Sequence, residues 1–348
     1  MHKLPQATAN LKNLDHAQTS DRKKDHIDLA FESRVEQALL DKRFYYEPML
    51  AAHPEANSLK PFYFLGKKQA APIWVSSMTG GTAMAGIINR NLAKACKEFG
   101  FGMGLGSCRI ILDDDTYLPD FQLRELIGEE QNFYANLGIA QVEALLDNGK
   151  LQTIKDLVSK LDADGLIVHV NPTQEWLQPE GDRIKHVPMD TLKRLLDAFN
   201  GSVIVKEVGQ GMGPASLQAL MTLPLQAIEF AANGGTNFAK LELFRANEDK
   251  RASYGGIPQL GHSAEEMVEF CNHIANQWEI RCNEVIISGG VRDFLDGYYL
   301  INKSKLPAVY GQASEMLKRA QGEYEVLQQY IQEQIRGLEL ATAYLKVR

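Results

Sequence analysis

The chain has 348 residues, 45% of them apolar, and a formal net charge of −7 at pH 7. That length suits one α/β barrel, about 250 residues with insertions, and the apolar share is enough for a large core. The acidic balance argues against sequence-independent nucleic-acid binding, which needs a basic face, and with no apolar run of about 18 residues and no apolar secretory core a soluble, cytoplasmic protein without membrane contact is expected.

Residues 1–20 are polar, rich in Asn and Gln and aperiodic, and read as a mobile tail; residues 21–348 read as one domain. The segment from Asp21 to Ile27 places Arg22, Lys23 and Lys24 in a row, with His26 close behind. Two readings stay open: a solvated charge run at a helix start, or a basic arm that folds over an anionic substrate.

From Pro72 onward, short apolar runs alternate with stretches of helical period. Strands are predicted at 73–77, 102–106, 133–137, 166–170, 203–208, 227–231, 284–288 and 308–311. Helices are predicted at 87–99, 192–199, 264–274 and, as one long element, 315–346. Eight strands with helices between them predict a (β/α)8 barrel with right-handed crossovers. Four cysteines, Cys96, Cys108, Cys271 and Cys282, lack CxxC spacing and read as reduced thiols.

Polarity gathers at the predicted strand ends, on the face where barrels build their chemistry. The first ends in Ser76, Ser77, Met78, Thr79 and a Gly pair; the second leads to Ser107, Cys108 and Arg109; the third carries Asn136. The fourth runs from Gly165 through four apolar residues (166–168 and 170) around His169, followed at once by Asn171, Gln174 and Glu175. An imidazole, two amides and a carboxylate converging there suit a metal and a phosphate; a polar strand end with a solvated loop is the plainer reading. In the fifth strand Lys206 interrupts an apolar run, and a buried unpaired ammonium is costly, so it needs Glu207 or a ligand as partner. The last three strands end in Asn233-Gly-Gly-Thr236, in Ser288 with Gly289, Gly290 and Val291, and in Gly311-Gln-Ala-Ser314. Glycines that open helices after late barrel strands favour a phosphate-bearing cofactor, although a tight turn alone also asks for Gly.

The segments RKKDHI, SSMTGG, GLGSCR, ANLG, HVNPTQEWLQPEGD, VIVKEVGQGM, NGGTNF and SGGVR run in order from Arg22 to Arg292, and with the strand-eight end the match reaches about Ser314. The chain thereby resembles the type 2 isopentenyl-diphosphate isomerases, flavin-dependent enzymes of isoprenoid biosynthesis that interconvert isopentenyl and dimethylallyl diphosphate. The resemblance implies an FMN-binding barrel, NADPH as reductant, Mg²⁺, a small-molecule diphosphate substrate and a homo-oligomer. It implies that Arg22, Lys23 and His26 hold the substrate diphosphate, with Ser107, Arg109, Asn171 and Gln174 also on the substrate. By the same token Ser77, Met78, Thr79, Ser107, Asn136, Lys206, Thr236, Gly289, Gly290, Val291, Ala313 and Ser314 contact FMN, and Glu175 ligates Mg²⁺. Gln174, His169 and Lys206 are the implied catalytic residues.

Some positions depart from the family pattern. Cys108 stands where glutamine is usual, Ala231 and Ala232 replace a more polar pair, and Asp293 and Phe294 follow Arg292 in place of a small residue and a glycine. The last change, with the segment 298–305, is expected to crowd the flavin phosphate. Moving a double bond requires protonating a very weakly basic alkene, a poor match for an ordinary side-chain acid. A reduced flavin can do this without net redox change, the protein positioning it and tuning its electronics. Two rival readings are an FMN barrel that oxidises a small hydroxy acid, and a catalytically silent flavin- or phosphate-binding barrel.

Overall fold

Short, almost wholly buried apolar runs pair side by side at the centre of the molecule, seen in a computed structural model that describes residues 23, 25–77 and 82–348. The strands are β1 (Ile73–Val75), β2 (Gly102–Gly104), β3 (Phe133–Gly138), β4 (Gly165–His169), β5 (Ser202–Lys206), β6 (Ala227–Glu229), β7 (Val285–Ser288) and β8 (Ala308–Gln312). They pair in parallel in chain order, and β8 returns to β1 to close the barrel. Each predicted strand lies within a residue or two of an observed one at its start. Both faces of such strands are covered, so they read as apolar runs with little alternation; all six residues of β3 are buried.

By its contacts the chain forms two compact units, residues 1–45 with Arg348 and residues 46–347. The barrel lies in the second. The tail expected at 1–20 falls outside the described residues.

The sequence reading missed one element that shapes the barrel. A hairpin, Phe62–Phe64 with Lys67–Gln69, precedes β1. Its Phe64 and Leu65 pack on Trp74, Tyr134, Ile167, Ile204 and Ile286 inside the barrel. Glu284 at the start of β7 accepts the Leu65 N–H at 3.0 Å. Plugged from that side, the barrel opens at the strands' C-terminal ends.

The helix after β1, Ala83–Phe99, starts on Thr82, whose hydroxyl accepts the Ala85 N–H, and stops on Gly100 in the left-handed region (φ 69°). The C-terminal stretch 315–346 is corrected: it is not one helix but two, Ser314–Ala320 and Tyr324–Tyr344, followed by the extended residues Leu345–Val347. At the break the Asn91 amide donates to the carbonyls of Ala320 and Gly322 at 3.0 and 2.9 Å. Those bonds satisfy carbonyls that a continuous helix would have used itself.

Candidate active site

The C-terminal ends of β5 to β8, with the residues after β1, surround a cavity of about 250 Å³ that opens to solvent. Backbone approaches backbone along one wall. Gly289 has φ 93°, and a Cβ there would sit 2.1 Å from the Ala232 carbonyl oxygen. Gly234 (φ 107°) and Gly290 (φ 73°) face one another beside it.

Lys206 closes β5 and is buried, and its Nζ donates to the main-chain carbonyl of Glu207 at 2.7 Å. Of the two partners considered from sequence, Glu207 therefore serves, but through its backbone. Its carboxylate is engaged elsewhere: Oε2 accepts the N–H groups of Gly209, Gln210 and Gly211 at 2.6, 2.6 and 3.0 Å. Burial raises the Glu207 carboxyl, while those N–H donors and the charge of Lys206 pull it back. An ammonium has three donors, so Lys206 keeps capacity for a ligand.

Three buried atoms at this cavity lack a hydrogen-bond partner among the described residues: Ser76 Oγ, Ser77 Oγ and Glu229 Oε2. Buried polar atoms are nearly always paired, so a cluster of orphans marks a place that a polar ligand completes. With the Cβ-free wall, this donor and acceptor set fits a phosphate-bearing ring cofactor.

On the neighbouring strand His169 is the register partner of Lys206. Asn136 donates its amide N–H to the Leu105 carbonyl at 2.9 Å, which turns its oxygen toward His169 Nδ1 at 2.7 Å. The imidazole therefore carries its proton on Nδ1 and keeps Nε2 as an acceptor. Burial first, and the Lys206 charge second, push its pKa down to about 3. Depressed from 6.5, this group leaves stability intact above about pH 6.5 and lowers it as pH falls toward 3, because the unfolded chain takes up the proton first. Denaturant midpoints of wild type and His169→Gln at pH 7 and pH 5 should show the flatter dependence in the variant.

After β4, the short helix Pro172–Leu177 carries Gln174 and Glu175. The Asn171 amide donates to Gln174 Oε1 and Glu175 Oε1, both at 3.0 Å, and Glu175 Oε2 accepts the Asp182 N–H at 2.7 Å. Gly181 permits this fold-back, since a Cβ there would lie 2.0 Å from the Glu175 carbonyl oxygen. Asp182 Oδ2 in turn accepts from Arg109 at 2.6 Å and Gln141 at 2.7 Å. The loops after β2 and β4 are thus tied together, and Glu175 presents one carboxylate at their junction.

The cavity brings together Ser77, Lys206, Thr236, Gly289, Gly290, Val291, Ala313 and Ser314 of the expected cofactor positions. Asn136 stands behind His169, whereas Ser107 is exposed on the β2 loop. Lys23 and His26 are exposed in the first unit, and Arg22, Met78 and Thr79 lie outside the described residues. Cys108 is buried, with its thiol near the Gly106 carbonyl. Ala231 adopts φ 43°, a strained conformation for a residue with a Cβ. The expected crowding by Asp293 and Phe294 is corrected. Asp293 caps the helix Phe294–Lys303 by accepting the Leu295 and Asp296 N–H groups, and the Phe294 ring packs against Gly337 of the last long helix.

Two site residues escaped the sequence reading. Asp182, at the end of the matched segment, holds Arg109. Glu229 interrupts the apolar run of β6 much as Lys206 interrupts β5, and that acid in an apolar run is its signal in the sequence. Among the described residues one group of three potential metal ligands, Glu143, Asp147 and His186, lies apart from Glu175. Its Glu143 oxygens already accept the Lys185 and His186 N–H groups.

Fold and site define a (β/α)8 barrel with a phosphate-type ligand pocket at its late strands and a carboxylate–amide cluster beside it. No protein-family model matches the chain. An isopentenyl-diphosphate delta-isomerase of Rickettsia felis is 32% identical over 324 residues, covering 90% of this chain and 88% of the relative. One of Nostoc sp. is 34% identical over 81% of this chain and 79% of the relative. The chain belongs to the type 2 isopentenyl-diphosphate delta-isomerase family. Among solved structures, a mandelate oxidase variant with a monooxide FMN adduct superposes with TM-score 0.55 at 11% identity, covering 88% of each chain. A flavocytochrome b2 variant with benzoylformate gives TM-score 0.59 at 12% identity, covering 86% of this chain and 71% of the other. These two show the shared barrel fold.

Among the described residues no helix is long and apolar enough to cross a membrane.

Proposed function

We propose that the protein interconverts isopentenyl and dimethylallyl diphosphate, using reduced FMN and Mg²⁺. The observation that carries this reading is the placement of eight expected FMN positions around one cavity, next to the Asn171–Gln174–Glu175 cluster. Bound and reduced, FMN supplies an electron-rich ring that can give and take back a proton without net redox change. NADPH is the proposed source of its electrons.

Lys206, anchored on the Glu207 carbonyl, is held where a fixed positive charge offsets charge on a reduced ring. Ser77 and Thr236 would line the ring's place, Asn136 would support it from behind His169, and Gly289, Gly290, Val291, Ala313 and Ser314 would hold its phosphate end. Arg109, oriented by Asp182, joins Ser107 and Asn171 on the substrate diphosphate; for Arg22, Lys23 and His26 a diphosphate contact is proposed from the resemblance alone. Gln174 and His169 flank the alkene. A neutral imidazole there adds no positive charge beside a cation-like carbon, which an imidazolium would destabilise. Glu175 provides the one carboxylate that Mg²⁺ commonly takes alongside phosphate oxygens. A homo-oligomer completes the proposal on the strength of the resemblance, and a cytoplasmic location on the lack of a long apolar run in the sequence.

The test is an assay of purified protein with FMN, Mg²⁺ and isopentenyl diphosphate. Isomerisation is expected only after the flavin is reduced. Turnover with oxidised or absent flavin, or bleaching of the flavin by a hydroxy acid, would refute the proposal. In the same assay Glu175→Gln should raise the Mg²⁺ needed for half-maximal rate by at least about 10-fold. An unchanged titration would remove Glu175 as the ligand.

A further inference from the structure

Glu229 is fully buried at the end of β6 and lines the cavity. One carboxylate oxygen, Oε1, accepts the Ser288 hydroxyl at 3.2 Å, while Oε2 has no partner among the described residues. Lys206 is its register partner on β5, yet the lysine reaches the Glu207 carbonyl and no ion pair joins the two. The other charged residues lining the cavity, Arg292 and Glu315, lie beyond the ends of β7 and β8. Arg292 is committed to Asp296, and Glu315 to Arg319. A buried carboxylate with an empty acceptor oxygen is costly unless something that enters the cavity supplies a donor.

We propose that Glu229 is a cofactor-contacting residue: its Oε2 accepts an N–H of the ring bound in the cavity, and its charge weakens the site's preference for the ring's reduced form. This rests on the reading of the cavity as the FMN site. An isoalloxazine carries an N–H in both its oxidised and its reduced states, so the hydrogen bond can form in both. The charge discriminates between them. A fixed anion beside the ring disfavours added electrons, while Lys206 favours them, and the balance of the two sets how readily the flavin is reduced.

The test measures the dissociation constants of oxidised and, under anaerobic conditions, reduced FMN for wild type and Glu229→Gln. The glutamine keeps the shape and an acceptor for Ser288 but removes the charge. The ratio of the oxidised to the reduced constant should rise about tenfold in the variant, equivalent to a midpoint potential about 30 mV higher for a two-electron couple. A ratio equal to that of wild type, or lower, would overturn the proposal; a protonated, purely structural carboxyl would give the unchanged ratio. Wild type that binds neither form of FMN would instead bring down the reading of the cavity itself. Should the variant not fold, a crystal structure of wild type with FMN decides the matter. Oε2 within hydrogen-bonding distance of a ring nitrogen supports the role, and Oε2 out of reach of the ring refutes it.

Discussion

Lys206→Ala is expected to lower the isomerisation rate by about 10²–10³-fold, the usual loss when a preorganised charge is removed from a water-poor site. Lys206 occupies a buried position at the mouth of β5 with a single acceptor among the described residues, the Glu207 carbonyl. Little of the fold hangs on that bond. The Glu207 carboxylate organises the following loop through three other N–H groups and remains in place. The loss should therefore appear in the rate with reduced FMN and in flavin retention, with only a modest fall in the melting temperature. Lys206→Arg should not rescue, because a planar guanidinium cannot be held on one carbonyl in the same position. A wild-type rate and flavin affinity in the alanine variant would make the lysine a structural residue.

Gly289→Ala should have the other large effect, on assembly of the cavity. Its φ of 93° is strained for any residue with a Cβ, at a cost of about 1–3 kcal/mol. The added methyl would also meet Ala232 at 2.1 Å from its oxygen and 2.3 Å from its nitrogen, main-chain atoms that cannot rotate away. The loops after β6 and β7 must then part, and FMN binding is expected to fail even if the barrel persists. Gly149→Ala is the control: its φ is 66° and nothing lies within 4 Å of a built Cβ, so it carries the backbone strain without the collision. Fluorescence titration of FMN against both variants, with thermal unfolding alongside, separates the two contributions. Equal FMN affinity in Gly289→Ala and Gly149→Ala would dismiss the close approach as unimportant.

Much of the barrel was legible because its strands are buried on both faces, so each appears as a brief apolar run whose polarity is displaced to its end. That is why Lys206, and His169 with Asn171 and Gln174 behind it, could be read as site residues. Glu229 shows the limit: an acid in an apolar run announces that it needs a partner, but not that the adjacent lysine declines to be that partner. The break at Gly322 was missed because Asn91, which binds the carbonyls there, is more than two hundred residues away.

The chain order of apolar runs, the glycines at their ends and the charges set among them determined the barrel and the face that carries the site. Such signals are local, arising from burial and backbone conformation within a few residues. The tertiary structure alone decided that Lys206 binds a carbonyl while the Glu207 carboxylate serves its own loop, that Asn136 sets the His169 tautomer, and that Asp182 joins Arg109 to Glu175. Hydrogen bonds of this kind are chosen by distance and direction between groups remote in the chain, and no spacing of letters encodes which neighbour comes within 3 Å.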